Sequence, residues 1–313
     1  MTERVPELSL KAYTHGDAAA RDAFSRDLMG GLQRFGFIIL TDHNVDPALL
    51  DRAYGLAEQL FALPEAVKRQ WAGGMRGYTP FGTEHAKDSK LPDLKEFWQI
   101  GHDDVPADVD REIFPENIWP NSGAGAVDDF EPTFRRLFSD LNETGRRLLA
   151  ALAPRLDLPA DWFDDKVAHG TSLLRVLHYP PVADDTPVGA VRSAAHEDIN
   201  FITILVAAKG AGLELLDRDG TWLPVVTDSK NLIVDSGDML QRLTNGVIPS
   251  TTHRVVNPEG PNVSRYSMPF FMHPTLETSL AALPSCIGDG AKWPATTAGE
   301  FLDERLRAIG LRK

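Results

Sequence analysis

Three residues of this 313-residue chain could share one metal ion: His196, Asp198 and His253. In an extended strand, side chains two apart point to the same face. His196 and Asp198 can therefore converge on one point while Glu197 points away, and a later antiparallel strand can bring His253 to them. Two imidazoles and one carboxylate on one face of a coordination sphere leave the opposite positions open to exogenous ligands. A second set follows. Arg265-Tyr266-Ser267 is the only Arg-x-Ser in the chain. Its spacing puts a guanidinium and a hydroxyl on one strand face, a pair suited to a carboxylate.

The motif His-x-Asp is not specific by itself, because it occurs three times. In His15-Gly16-Asp17, the aspartate precedes an amphipathic run and reads as a helix N-cap. His102-Asp103-Asp104 leads into an acidic, proline-bearing loop. Only His196-Glu197-Asp198 is followed by a long β-rich segment, another histidine and then Arg-x-Ser. An open-sided set of two histidines and one carboxylate is the coordination of non-haem Fe(II) oxygenases.

The elements that must position these residues fall into two halves. Residues 1–17 read as a short strand and a loop. Residues 18–35 read as a helix with Phe24, Leu28, Leu32 and Phe35 near the 3.6 period, and Gly36 is placed to end it. Residues 37–41 form a buried strand. Asp46-Pro47 supplies an N-cap and an N1 proline for a helix that keeps Leu50, Tyr54, Ala57, Leu60 and Phe61 on one side. Residues 73–78 read as a loop, 95–100 as a strand and 103–129 as an acidic surface loop. The longest helix spans 134–156 and backs a sheet. Strands are expected at 173–179, 201–207, 212–216, 231–235, 253–257 and 264–273, with a hairpin turn at 217–220 before Trp222. Thr297 and Glu300 make a capping box for a last helix ended by Gly310. Helices followed by many short strands give an α+β chain with a mainly β core, a jelly roll whose mouth can hold a small ligand.

Composition narrows the function. The chain carries 32 basic and 45 acidic residues, a net charge of −13, against nucleic-acid binding and against an anionic membrane surface. Its single cysteine, Cys286, excludes an internal disulfide framework and fits a reducing, cytoplasmic setting. There is no apolar run of membrane-spanning length, and no basic-then-apolar start that would signal secretion. The expected ligand is a small molecule; the oligomeric state is left open.

With these motifs in place, the sequence resembles the isopenicillin-N-synthase-like branch of the 2-oxoglutarate/Fe(II) dioxygenases. Residues 36–40 (GFIIL) and 61–64 (FALP) resemble the family's N-terminal region, 174–181 (LRVLHYPP) the strand before its site, and 297–302 its C-terminal helix start. The resemblance implies a distorted double-stranded β-helix flanked by helices. It comprises an N-terminal region, 1–120, and a jelly-roll core, 121–313, forming one compact unit. It implies Fe(II) on His196, Asp198 and His253. It also implies 2-oxoglutarate held at its far carboxylate by Arg265 and Ser267, with Tyr179 helping. O₂ would take a remaining position, and the products would be succinate, CO₂ and an oxidised, usually hydroxylated, substrate. The region 71–101 would cover the mouth, making Arg76, Tyr78, Phe97 and Trp98 candidates for substrate contact alongside Phe201 and Phe271. Two departures stand out. Leu177 occupies a position that is Asn in many plant members, and residues 258–261 lengthen the connection from His253 to Arg265. Two other readings keep the same fold: an Fe(II) oxidase whose Arg265 and Ser267 hold the substrate's own carboxylate, and a non-catalytic ligand-binding jelly roll.

Overall fold

The computed structural model of the chain describes residues 4–85, 91–103, 105, 110–209 and 212–308. Thirteen strands form two sheets among the described residues. They are β1 (Glu7–Ser9), β2 (Phe37–Thr41), β3 (Ala72–Gly73), β4 (Arg76–Thr79), β5 (Glu96–Gly101), β6 (Leu173–Tyr179), β7 (Ser193–His196), β8 (Ile202–Lys209), β9 (Leu213–Leu216), β10 (Trp222–Pro224), β11 (Leu232–Ser236), β12 (His253–Val255) and β13 (Arg265–Met272). The helices are α1 (Leu10–His15), α2 (Ala18–Phe35), α3 (Pro47–Phe61), α4 (Glu65–Lys68), α5 (Phe130–Leu152), α6 (Asp164–Val167), α7 (Asp238–Leu243) and α8 (Ala298–Ala308).

The major sheet runs β1-β2-β11-β8-β13-β6-β5-β4-β3 and the minor sheet β10-β9-β12-β7. Among the described residues, only the β1–β2 pair is parallel. Strand alternation divides the major sheet's side chains between two layers. Leu174, Val176, Ile204, Val206, Val234, Ile38, Met268 and Phe270 point to one face and pack with α2, α3 and α5 in the main core. The opposite face carries Phe37, Ile39, Leu205 and Ile233, which meet Leu213, Leu215 and Val255 of the minor sheet in a second core. The space between the two sheets is the interior of the jelly roll, and the site lies there.

Helix boundaries follow local chemistry. Asp17 accepts from the Ala20 amide and Asp46 from the Ala48 amide, as N-caps do. Gly36 has φ 67° and its N–H donates to Leu32 O, so a left-handed residue closes α2. Thr297 Oγ1 accepts from the Glu300 amide while Glu300 accepts from the Thr297 amide, completing the capping box of α8. Gly310, expected to end that helix, lies outside the described residues.

Some expectations change. Residues 10–15 form a helix rather than loop: α1 buries Leu10 but is too short to leave a periodic signal. The longest helix begins at Phe130, earlier than its apolar pattern suggested, and a 3₁₀ turn continues it through Leu156. Residues 73–78 are a hairpin rather than a loop. Gly77 reads as a loop residue, yet it lets β4 approach Trp71 O, which a Cβ would meet at 2.3 Å.

Candidate metal centre and cosubstrate pocket

β7 and β12 pair with His196 directly opposite His253. Their rings lie 4.4 Å apart. Asp198 sits just past the end of β7, not within it as the spacing suggested, and still reaches the same point. His196 Nε2 is 3.6 Å and His253 Nε2 3.9 Å from Asp198 Oδ1, and the three ligating atoms all lie within 4.8 Å of one another. Among the described residues this is the one such cluster of His, Cys and carboxylate groups. Glu197 points elsewhere, accepting from Thr252 Oγ1.

Each candidate ligand is aimed by a neighbour. His196 Nδ1 is 2.7 Å from Ala194 O and His253 Nδ1 is 3.1 Å from Thr251 O. A carbonyl can only accept, so each Nδ1 carries its proton and each Nε2 presents a lone pair inward. Burial, and then the His253 ring, lower the His196 pKa to about 4 against the pull of Asp198. The imidazole is thus neutral and ready to ligate at physiological pH. Asp198 accepts from Thr203 Oγ1, which in turn accepts from Asn200 Nδ2 at 2.8 Å, and Asp198 O accepts from the Asp238 amide at 2.8 Å. Asp235, paired with Thr203 across β11 and β8, has its pKa pushed well up by burial and by Asp198.

Arg265 pairs with Tyr179 and Ser267 with Leu177 between β13 and β6. All four point into the jelly roll. The Arg265 guanidinium lies over the Tyr179 ring at 5.1 Å and is 2% exposed, and its Nε and Nη1 have no partner. A buried guanidinium with two unsatisfied nitrogens is costly unless an anion completes it. The residue opposite Ser267 is the apolar Leu177, so Arg265, Ser267 and Tyr179 provide the polar contacts there.

Phe97 and Phe271 also face the interior. Between them lies Arg175, which the sequence reading missed. Its guanidinium carbon is 4.7 Å from the Phe97 ring centre and 5.6 Å from that of Phe271. Arg175 is four residues before Tyr179 on β6, so alternation alone could have placed it inside. Glu84 holds it through two 3.1 Å hydrogen bonds, and Gln99 Oε1 accepts from its Nε. Lys95 joins Glu84 and Asp93, and Asp93 accepts from the Ala194 amide, steadying the strand that carries His196.

The other substrate candidates are not brought to this chamber. Trp98 is one residue out of phase with Phe97, so it faces the helices and packs between Trp71 and Phe130. Tyr78 pairs with Trp98 on the same face and donates to the buried Glu96 carboxylate. Arg76, two residues from Tyr78, packs against the Gly101 end of β5. Phe201 is fully buried against Phe163 in the main core.

Comparison with known proteins decides the family. Residues 170–274 match the 2OG-Fe(II) oxygenase superfamily, and residues 5–122 match the N-terminal region of the non-haem dioxygenases in morphine synthesis. A 2-oxoglutarate-Fe(II) type oxidoreductase of Metarhizium rileyi is 30% identical over 97% of this chain and 90% of its own. The chain belongs to the 2OG-Fe(II) oxygenase superfamily. This dioxygenase is also 30% identical to a proline hydroxylase of Petromyces alliaceus, over 96% of this chain and 98% of the relative. A putative 2OG-Fe(II) oxygenase family protein of Caulobacter crescentus superposes with a TM-score of 0.86 at 40% identity, covering 98% of this chain and all of that one. A Neurospora crassa protein solved with α-ketoglutarate and thymine gives 0.85 at 25% identity, covering 98% of this chain and 96% of that one. The dioxygenase therefore uses Fe(II) and 2-oxoglutarate, and its fold is the jelly-roll double-stranded β-helix expected from the sequence.

Proposed function

We propose that His196, Asp198 and His253 hold the Fe(II), and that Arg265, Ser267 and Tyr179 hold the far carboxylate of 2-oxoglutarate. The observation that carries this is the convergence of three ligating atoms, with both Nδ1 atoms tied to carbonyls so that both Nε2 atoms face one point. The unsatisfied Arg265 nitrogens support the second half of the reading. Once bound, iron and 2-oxoglutarate would activate O₂, one oxygen atom going to the succinate formed with CO₂ and the other to the substrate. The protein's part is to orient and exclude. Arg265 anchors the far carboxylate and so positions the keto-acid end toward the metal ligands, and the apolar lining between the sheets keeps water out. Thr203 and the Ala194 and Thr251 carbonyls hold the ligands in position.

The substrate is a small molecule that meets Phe97, Phe271 and Arg175. Glu84 and Asp93 balance Arg175 and Lys95, so that wall offers hydrogen bonds and aromatic faces without net charge. This favours an uncharged polar substrate, and the thymine in the Neurospora structure is a compound of that kind. Nucleic acid is not a partner in this reading, given the net charge of −13. No helix among the described residues is long and apolar enough to cross a membrane. A cytoplasmic setting is supported by the buried free thiol of Cys286. Residues 1–120 and 121–313 work as one unit, supported by the shared nine-stranded sheet.

The test is a screen of neutral heterocycles, amino acids and small acids for 2-oxoglutarate consumption coupled to succinate release. Coupled turnover on an uncharged polar compound, lost in His196→Ala, is the expected outcome. Substrate oxidation without 2-oxoglutarate would overturn the assignment of Arg265.

A further inference from the structure

Arg192 lies four residues before His196 and is 3% exposed. Its Nη2 donates to Val263 O at 2.5 Å, two residues before Arg265, and its Nε has no partner. The titratable groups that bear on it are Arg265, which repels it, and the Tyr179 phenol. Those that bear on Arg265 are Tyr179 and Tyr54. Arg192 is thus tied to the backbone two residues before Arg265, both guanidinium groups are buried with unpartnered nitrogens, and neither has an acidic partner among the described residues. The part-buried cations on the neighbouring wall are matched: Arg175 by Glu84, Lys95 by Glu84 and Asp93. Like charges left together in a low-dielectric interior repel each other and lose hydration, unless an anion sits between them. A carboxylate has two oxygens and about four acceptor sites, enough for two guanidinium forks together with Ser267 and Tyr179.

We propose that Arg192 is a second arginine of the cosubstrate pocket, sharing with Arg265 the far carboxylate of 2-oxoglutarate. The inference rests on the assignment of Arg265 made above. It makes the pocket selective for a 2-oxo dicarboxylate over 2-oxo acids that lack the second carboxylate. Its hydrogen bond to Val263 O sets the guanidinium in place before the ligand arrives, so less side-chain freedom is lost on binding.

The experiment is anaerobic calorimetric titration of the full-length, Fe(II)-loaded protein with two ligands and no substrate. One is 2-oxoglutarate. The other is 2-oxobutyrate, which keeps the keto-acid end and lacks the distal carboxylate. Arg192→Gln should weaken 2-oxoglutarate at least tenfold, leave 2-oxobutyrate within twofold of the parent, and leave iron affinity unchanged. In the Arg265→Gln background the same change should cost less than it does alone, because the two residues serve one group. If Arg192→Gln binds 2-oxoglutarate as the parent does, or weakens both ligands equally, Arg192 only pins the 256–264 connection and the inference is wrong. Should Arg192→Gln prove insoluble, Arg192→Lys is read in the same titration. A loss of threefold or more for 2-oxoglutarate alone supports the inference, and no loss or an equal loss overturns it. A parent protein that binds the two ligands equally would instead sink the assignment of Arg265.

Discussion

Replacing Gly36 with alanine should damage both the fold and the metal site, although Gly36 lies far from the ligands in sequence. Gly36 ends α2 at φ 67°, a conformation that costs a non-glycine residue about 1–2 kcal/mol. An added Cβ would also lie 2.2 Å from Thr251 Oγ1, 2.9 Å from Thr251 Cβ and 3.2 Å from Pro249 O. Those contacts are closer than van der Waals separation, so the 249–251 turn must move, at a typical overpacking cost of about 1–3 kcal/mol. The sum is roughly 2–5 kcal/mol. With about 2.1 cal/mol/K of unfolding entropy per residue, a chain of this length should lose roughly 3–8 °C in Tm. Thr251 O is the acceptor that aims His253 Nδ1. Moving it should loosen the ligand, and outer-shell disturbances of that kind typically cost about 10–100-fold in metal affinity. Calorimetric melting of the metal-free protein and an anaerobic Fe(II) titration read the two effects separately. An unchanged Tm would refute the strain argument. A lowered Tm with unchanged iron affinity would refute the link through Thr251.

Three further outcomes are expected. His196→Ala should lose tight Fe(II) binding, measured by anaerobic titration, while its far-ultraviolet circular dichroism stays that of the parent. Arg265→Ala should weaken 2-oxoglutarate binding by about 2–5 kcal/mol, since the ligand's carboxylate is then left without its main partner, while iron affinity is retained; calorimetry reads both. His273 is buried and its pKa is lowered to about 4, first by burial, so between about pH 6.5 and 4 the unfolded chain binds the extra proton and stability falls with falling pH. At about 1.36 kcal/mol per pKa unit this comes to roughly 3 kcal/mol, and His273→Asn should flatten the acid limb of urea-unfolding midpoints across that window.

The sequence made the ligand types legible because metal chemistry restricts them and because their order along the chain is readable. Jelly-roll strands were legible where alternation was clean, as in 173–179 and 264–273. What stayed hidden were contacts made across the chain. Asp93 steadies β7 through the Ala194 amide, and Thr203 reaches back to Asp198. Neither residue type announces such a role. Arg192 lies in irregular backbone just before β7, where no alternation predicts which way a side chain points. The substrate candidates divide by phase: Phe97 and Trp98 are adjacent, so only one can face the interior, and the sequence does not say which. Arg76 and Tyr78 fell with Trp98 because register ties them to its face.

The distribution of charge within the jelly roll gives its two ends different tasks. On the Phe97 and Phe271 side, burial pushes the Glu84 pKa up, but Arg175 and Lys95 outweigh it and hold the carboxyl below its ordinary range. Burial likewise pulls Lys95 down, and Glu84 and Asp93 outweigh that in turn. Those four groups pair with one another, two cations with two carboxylates, so that wall has no unpaired charge to attract an ion. On the Tyr179 side the arginines have no such partners, and burial lowers the pKa of both. That end is incomplete without an anion. In the reading proposed above, a dicarboxylate with its keto-acid end on the iron would complete that end and leave the neutral end for substrate. On that reading, exchanging the two ligands would leave both arginines unpaired, and the charge pattern would select which molecule occupies which half of the chamber.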